Sequence, residues 1–314
     1  MHDIHNDFEV ESILEENRKR HEIINAPYNP VTGLGAVGER KKISIKDSPI
    51  GDMYLPVELI KENLFIRRLA KYGFKGYIIR FIKEVEYSEE ALNQLWIEFI
   101  KYRIIYDFEY WAYSFIFIKD KVSPKDIPFK LNRAQRRVLN KLEKLRKAGK
   151  PIKFILLKAR QWGGSTLVQI YMLWIMLVHR RNWNTVICGD VETQSRNVRA
   201  MITKALNKYP SYLLGETVKF TPFEGSSKNK VIQNTNCVVS IGSFQKPDTL
   251  RSGDISGAHL TEIGLWRATP GKKPEDLIQS ISGSIYDTAY TILGLESTAK
   301  GVGNFFHRTW QQAV

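Results

Sequence analysis

The chain has 314 residues, more than a single hydrophobic core usually serves, so two domains, or one large and one small, are expected. Apolar residues at 43% and charged residues at 25% exclude wholesale disorder. A net charge of +14 favours a polyanionic partner, nucleic acid before membrane, with a merely solvated basic surface as the alternative.

Residues 1–55 are polar and broken by Pro27, Pro30, Gly33, Gly35, Gly38, Pro49 and Gly51, which reads as an extended or loosely ordered arm. Residues 56–128 read as a small helical N-terminal subdomain. Phe65, Leu69 and Tyr72, then Ile78, Ile79 and Ile82, then Leu92, Leu95, Trp96, Phe99 and Ile100 recur at helical spacing. The aromatic run Phe108, Tyr110, Trp111, Tyr113, Phe115 and Phe117 reads as core, a base-stacking face being the alternative.

From residue 129 to 314 the texture is that of an α/β domain. Residues 131–147 form a helix with Asn132 as N-cap and Gly149-Lys150-Pro151 as its stop. Residues 153–157 are a strand, followed by a glycine pair and an apolar helix over 165–179. A second strand covers 185–188, and Asp190 or Thr193 caps a helix running to about Tyr209. Further strands are expected at 237–241, 258–260 and 290–295, then an amphipathic segment from Asn304. Strands alternating with helices imply a parallel sheet covered on both faces.

Targeting and redox signals are few. The most apolar stretch, 167–178, has twelve residues, short of the roughly 20 a spanning helix needs, and residues 1–20 are no signal peptide. Cys188 and Cys237 alone cannot build a disulfide scaffold or a four-cysteine zinc site, so an intracellular protein is expected. The histidines show no metal-ligand spacing beyond the terminal pair His2 and His5.

Lys158-Ala-Arg-Gln-Trp-Gly163-Gly164-Ser165-Thr166 lies between a buried strand and a helix. A phosphate-binding loop requires that context, because backbone N–H groups at a helix N-terminus then point at an anion. Against G-x-x-x-x-G-K-[ST], Gly163 and Ser165 match, while Lys158 stands at the first glycine and Gly164 at the lysine. Either Lys158 or Arg160 can return a cation to the phosphates, with Ser165 as the magnesium hydroxyl. An ordinary Gly-Gly-Ser cap is the plainer alternative.

A short apolar strand ends at Thr261 and Glu262. A nucleotide hydrolase needs a carboxylate there to orient the attacking water, whereas a simple strand cap is the other reading. Thr261 stands where a magnesium-linked aspartate is usual, and a hydroxyl can hold a metal-bound water without contributing charge.

In this order the motifs resemble the ATPase domain of the large terminase subunit of tailed double-stranded DNA phages, over about two thirds of the chain. Phe129-Lys-Leu-Asn-Arg-Ala-Gln135 resembles the adenine-recognition segment, and 158–166 resembles a phosphate loop with its lysine moved to the start. Pro247-Asp-Thr-Leu-Arg251-Ser-Gly matches the arginine-finger segment. Gly294-Leu-Glu-Ser297-Thr298-Ala299-Lys-Gly301 resembles the coupling motif.

The resemblance implies a P-loop NTPase fold of the ASCE or RecA-like kind, binding ATP and Mg2+. Nucleotide contacts fall to Gln135, Lys158, Arg160, Gln161, Trp162, Gly163, Gly164, Ser165, Thr166, Ser297 and Thr298. Magnesium falls to Ser165, Thr261 and Glu262, and catalysis to Glu262, Arg160 and, from a neighbouring subunit, Arg251. Implied partners are double-stranded DNA held without regard to sequence, a homo-oligomeric ring on the portal, and the small terminase subunit, in the host cytoplasm and away from membranes. The chain stops before the family's nuclease domain, so no DNA cleavage is expected. The competing readings are an assembly subunit that binds nucleotide and DNA without hydrolysis, and another P-loop translocase or helicase.

Overall fold

The computed structural model describes residues 4–82, 88–120, 122–246 and 254–313. The N-terminal arm is more structured than its composition implies. Helix α1 covers Ile4–Asn25, where Glu, Leu, Arg and Lys favour helix and Glu15 pairs with Arg18 and Lys19 at 2.9 and 3.5 Å. Strands β1 (Arg40–Ser44) and β2 (Asp52–Pro56) then form an antiparallel hairpin.

That hairpin is core rather than tether. Ile45, Met53 and Leu55 are buried with Leu59, Ile66, Leu69, Phe74, Ile78, Leu95 and Phe99. These last come from α2 (Val57–Glu62), α3 (Leu64–Phe81) and α4 (Glu89–Tyr106). The expected boundary at residue 55 therefore falls inside one packed unit. The glycines and prolines that suggested a loose arm form its turns, and only Met53 and Leu55 alternate in the strand manner.

A buried ion cluster ties the hairpin to the next helix. Arg40 grips Asp107 through both guanidinium nitrogens at 3.0 and 2.9 Å, and Arg103 adds a third contact at 3.1 Å. Burial alone would raise the Asp107 carboxyl, but the two guanidinium charges outweigh it and hold it at about 2. Asp107 also caps α5 (Phe108–Phe115), accepting from the Tyr110 backbone N–H. Phe108, Tyr110, Trp111 and Phe115 are buried, as a core reading of the aromatic run requires. They pack on the α/β domain, together with Ile100 and Ile104 from the end of α4.

Past the small hairpin of β3 (Phe117–Lys119) and β4 (Asp126–Pro128), α6 (Arg133–Lys147) opens on a capping box between Asn132 and Gln135. The main sheet has seven strands in the order β5-β11-β10-β6-β9-β8-β7. Its parallel part comprises β5 (Ile152–Leu157), β11 (Ile292–Ser297), β10 (Gly257–Thr261), β6 (Thr185–Gly189) and β9 (Cys237–Ser243). The antiparallel edge, β8 (Ser226–Ile232) and β7 (Phe220–Phe223), was not expected. Its Ser-Ser-Lys-Asn-Lys stretch hides the strand, because only Val231 and Ile232 at the end of β8 are buried apolar residues.

Helix α7 (Gly164–Trp174) runs on through a π-helical turn at Ile175–His179 and is buried along its length. Helix α8 (Glu192–Leu206) begins after Val191 with no side-chain cap, so neither Asp190 nor Thr193 caps it. The short α9 (Ser211–Leu214), α10 (Pro274–Gly283) and α11 (Phe305–Ala313) complete the chain. Among the described residues no helix is long and apolar enough to cross a membrane.

Candidate active site

All the parallel strands end on the same side, where open α/β sheets bind ligands. Strand β11 lies between β5 and β10, so the ends of three neighbouring strands deliver Lys158, Glu296 and Glu262 to one place. The β5 ladder continues one bond further, Lys158 N–H donating to Ser297 O at 3.0 Å. The chain then turns through Gln161 and Gly163, both left-handed at φ of 62° and 86°, into α7.

Two glycines in this turn have steric reasons. A Cβ at Gly163 would lie 2.7 Å from Gln135 Nε2 in a left-handed backbone that disfavours side chains. A Cβ at Gly164 would lie 2.9 Å from the Trp162 ring and 3.2 Å from Lys158 Cδ. The usual lysine position is therefore filled by Trp162 and Lys158 themselves, which is why the cation comes from the start of the loop.

Lys158 Nζ donates to Glu262 Oε1 at 3.1 Å and to Ser165 Oγ at 3.3 Å, and lies 3.7 Å from Glu296 Oε1. Its side chain is only 9% exposed, so this charge is held in the site rather than in solvent. Arg160 is exposed. Glu262 sits just past β10 in the left-handed conformation, at φ 54° and ψ 39°. For a residue other than glycine such a backbone costs about 1–3 kcal/mol, and strain of this kind collects at working sites. Lys158 holds one of its oxygens, and Thr298 Oγ1 donates to the other at 3.2 Å.

Beneath Glu262 lies a second carboxylate that sequence reasoning did not single out. Glu296 is fully buried on β11, directly opposite Thr261 in the β10–β11 register. Its Oε1 accepts from Ser165 Oγ, and from Thr261 Oγ1 at 2.8 Å. His259 Nε2 lies 3.0 Å from the same oxygen, and Gln169 contacts the other ring nitrogen at 2.5 Å. Burial would push this carboxyl up, yet His259, Lys158 and the Ser165 hydroxyl outweigh it and hold it at about 2.

Beside the loop opens a cavity of about 650 Å³, a size typical of small-ligand sites. Phe117, Ile127, Phe129, Trp162 and Met201 give it largely apolar walls, and Gly163 and Thr166 border it. A planar heterocycle fits such walls. Among the described residues no group of three or more His, Cys, Asp or Glu could hold a metal. A cation here would need Ser165 Oγ and oxygens of the ligand itself. The residues fit one, because Glu296 Oε2 is a buried carboxylate oxygen with no partner beside Ser165.

No protein-family model matches the sequence, and no curated protein does. Solved structures similar to this chain include the large terminase of bacteriophage HK97, at 21% identity and a TM-score of 0.48, covering 60% of this chain and 36% of that one. A second is the large terminase of a thermophilic bacteriophage in complex with ADP, at 13% identity and a TM-score of 0.41, covering 59% of this chain and 42% of that one. A third is the N-terminal domain of the DNA packaging ATPase of bacteriophage phi29, at 9% identity and a TM-score of 0.39, covering 54% and 84%. The match thus spans little more than a third of the HK97 chain.

The expected site residues divide into those facing the cleft and those supporting it. Lys158, Gly163, Gly164, Ser165 and Glu262 meet at the loop, and Trp162 and Thr166 line the cavity. Gln161 borders the cavity as well. Gln135, expected to read adenine, also borders it, but its amide braces the loop. Its Oε1 accepts from Asn132 N–H and its Nε2 donates to Gly163 O, each at 2.9 Å.

Thr261, expected to hold a metal-bound water, donates its hydroxyl proton to Glu296. Ser297, expected at the phosphates, is fully buried, accepting from Gly264 N–H and donating to Thr298 O, both at 2.9 Å. Its hydroxyl fixes the turn after Glu262. Thr298 touches Glu262 rather than the loop. Arg251 and its segment lie outside the described residues.

Proposed function

We propose that this chain is the ATP-hydrolysing motor domain of a large terminase, driving double-stranded DNA into a phage capsid. The observation that carries the reading is the convergence of Lys158, Ser165 and Glu262 at the carboxyl ends of neighbouring parallel strands, beside a cavity of nucleotide size. The ordered motifs of the sequence support it.

In this reading the adenine enters the apolar cavity against Phe129 and Trp162, and Gln135 keeps the loop in shape for it. The triphosphate lies against the N-terminus of α7, where backbone N–H groups and the helix dipole favour anions. Lys158 turns from Glu262 to the phosphates, and exposed Arg160 adds charge from the same subunit. Ser165 would hold magnesium, which would neutralise charge on the triphosphate oxygens when bound. Glu262, released by Lys158, orients the attacking water and accepts its proton, a role general bases fill for roughly 10²–10⁴-fold in rate. Thr298, bonded to Glu262 at 3.2 Å, passes the change in Glu262 to the end of β11.

Arg251 acts on a neighbouring subunit's nucleotide, a role that rests on the sequence resemblance alone. The assembly is a ring on the portal that meets the small terminase subunit in the host cytoplasm. DNA is held through its phosphates, and α6 offers exposed Arg137, Lys141 and Lys144, while its one acidic residue, Glu143, is buried.

Phosphate release measured with duplexes of unrelated sequence tests this. Stimulation should be equal for all of them, and the logarithm of DNA affinity should fall linearly with the logarithm of salt, by roughly 0.9 per phosphate neutralised. Dependence on one sequence, or indifference to salt, contradicts it.

A further inference from the structure

Thr261 leaves a shortage of negative charge in the site, and the adjacent strand supplies it. We infer that Glu296, one strand over from Thr261, is the carboxylate that orients Ser165 for the metal-bound nucleotide. It takes over the task an acidic residue at position 261 would have. The inference rests on the ATP-binding reading above and adds to it the residue on which metal dependence turns.

Three observations carry it. The parallel register sets Thr261 directly opposite Glu296, so a side chain one carbon longer than aspartate, reaching across from β11, delivers its carboxylate beside the Thr261 hydroxyl at 2.8 Å. Thr261 thereby becomes a positioning residue for the acid that replaces it. Second, Ser165 donates its proton to Glu296. A serine hydroxyl that gives its proton to a carboxylate turns its lone pairs outward and is a better donor to a cation. Third, the Ser165 and Thr261 hydroxyls both donate to Oε1, while Oε2 is buried without a hydrogen-bond partner. A buried, unpaired carboxylate oxygen is costly unless something completes it, and water on a bound cation is a natural donor to it.

The arrangement already holds positive charge beside both groups. Lys158 Nζ stands 3.3 Å from Ser165 Oγ and 3.7 Å from Glu296 Oε1. Its ammonium shows that this corner of the site accepts a cation. The same pair of carboxylates then faces two different partners, Glu262 the water and Glu296 the metal side. Burial separates these roles, since Glu296 is sealed while the Glu262 side chain is 25% exposed.

The test is ADP affinity by calorimetry in magnesium chloride and in EDTA, on wild type, Glu296→Gln, and the double variant Thr261→Asp/Glu296→Gln. Supporting groups around metal ligands typically contribute 10–100-fold to metal affinity. Glu296→Gln should therefore lose roughly that much of the magnesium gain, the ratio between the affinity in magnesium and that in EDTA. The double variant, which moves the carboxylate back to β10, should recover a large part of the gain. It also keeps one acid in the cluster, so it decides the matter if Glu296→Gln fails to fold. Glu296→Gln with the full magnesium gain, or a folded double variant with none, overturns the assignment. Wild-type protein that binds no ADP in either buffer overturns the ATP reading itself and this inference with it.

Discussion

Replacing Lys158 by methionine removes the ammonium while keeping the length and most of the volume of the side chain. That ammonium neutralises Glu262 at 3.1 Å and Glu296 at 3.7 Å, with a side chain only 9% exposed. Breaking a fully buried pair costs about 3–5 kcal/mol. Here the loss should be smaller, about 1–3 kcal/mol, because Glu262 can turn to water and Glu296 keeps Ser165, Thr261 and His259. The effect on ligand binding is of separate origin. A hydrogen bond to a charged group contributes about 1.5–3 kcal/mol, so losing one to the phosphates weakens ATP binding roughly 10- to 150-fold. Titration with a fluorescent ATP analogue measures this, and urea denaturation without nucleotide measures the stability loss. Lys158→Met that binds ATP like wild type, while Arg160→Ala does not, would show that the exposed arginine is the loop cation.

Gly164→Lys, which restores the lysine to its usual place, should not tighten ATP binding. Its Cβ meets Trp162 at 2.9 Å, so overpacking should cost about 1–3 kcal/mol, visible as a lower melting temperature; tighter ATP binding would refute the steric account. Glu109 has its carboxyl pushed up to about 7, burial prevailing over Arg40 and the Val37 N–H. The folded chain then keeps this proton to near pH 7 while the unfolded chain releases it near 4.5. The folded state therefore binds more protons in that window, so stability should fall as pH rises from about 4.5 to 7. Glu109→Gln should flatten that slope in urea midpoints, and parallel profiles for the two proteins would refute it. For Arg251, the expected result is that Arg251→Ala binds ATP yet turns over poorly, and that mixing it with Glu262→Gln protein recovers part of the activity. No recovery in the mixture rules out action between subunits.

The parallel core was legible because its strands are short apolar runs bounded by glycine, proline and caps, and β5, β6, β9, β10 and β11 lie where those runs do. The β7–β8 pair was not, since a half-buried strand rich in Ser, Lys and Asn carries no hydrophobic period. The N-terminal hairpin was hidden for a different reason. Its turn residues dominate the composition, and Met53 and Leu55 gain meaning only when α2, α3 and α4 close over them. Much of the site could be read from Lys158-Ala-Arg-Gln-Trp-Gly-Gly-Ser and from Thr261-Glu262, because loop and strand-end positions are local. Glu296 was passed over because Ile-Leu-Gly-Leu-Glu-Ser reads as a buried strand with one acid in it. The missing carboxylate at Thr261 was the available signal, but only the register between β10 and β11 says which neighbour compensates. Gln135 and Ser297 drew attention as ligands for a related reason. Their residue types suit a nucleotide, while their hydrogen bonds to Gly163, Asn132, Gly264 and Thr298 depend on tertiary placement.

The most direct test of the central claim is phosphate release from ATP by wild-type protein and by Glu262→Gln, with ATP affinity measured on both under the same conditions. The account predicts magnesium-dependent release by wild type, reduced at least 10²-fold or so in Glu262→Gln, while the variant still binds ATP. Equal turnover by both proteins, or wild-type protein that does not bind ATP, would contradict it.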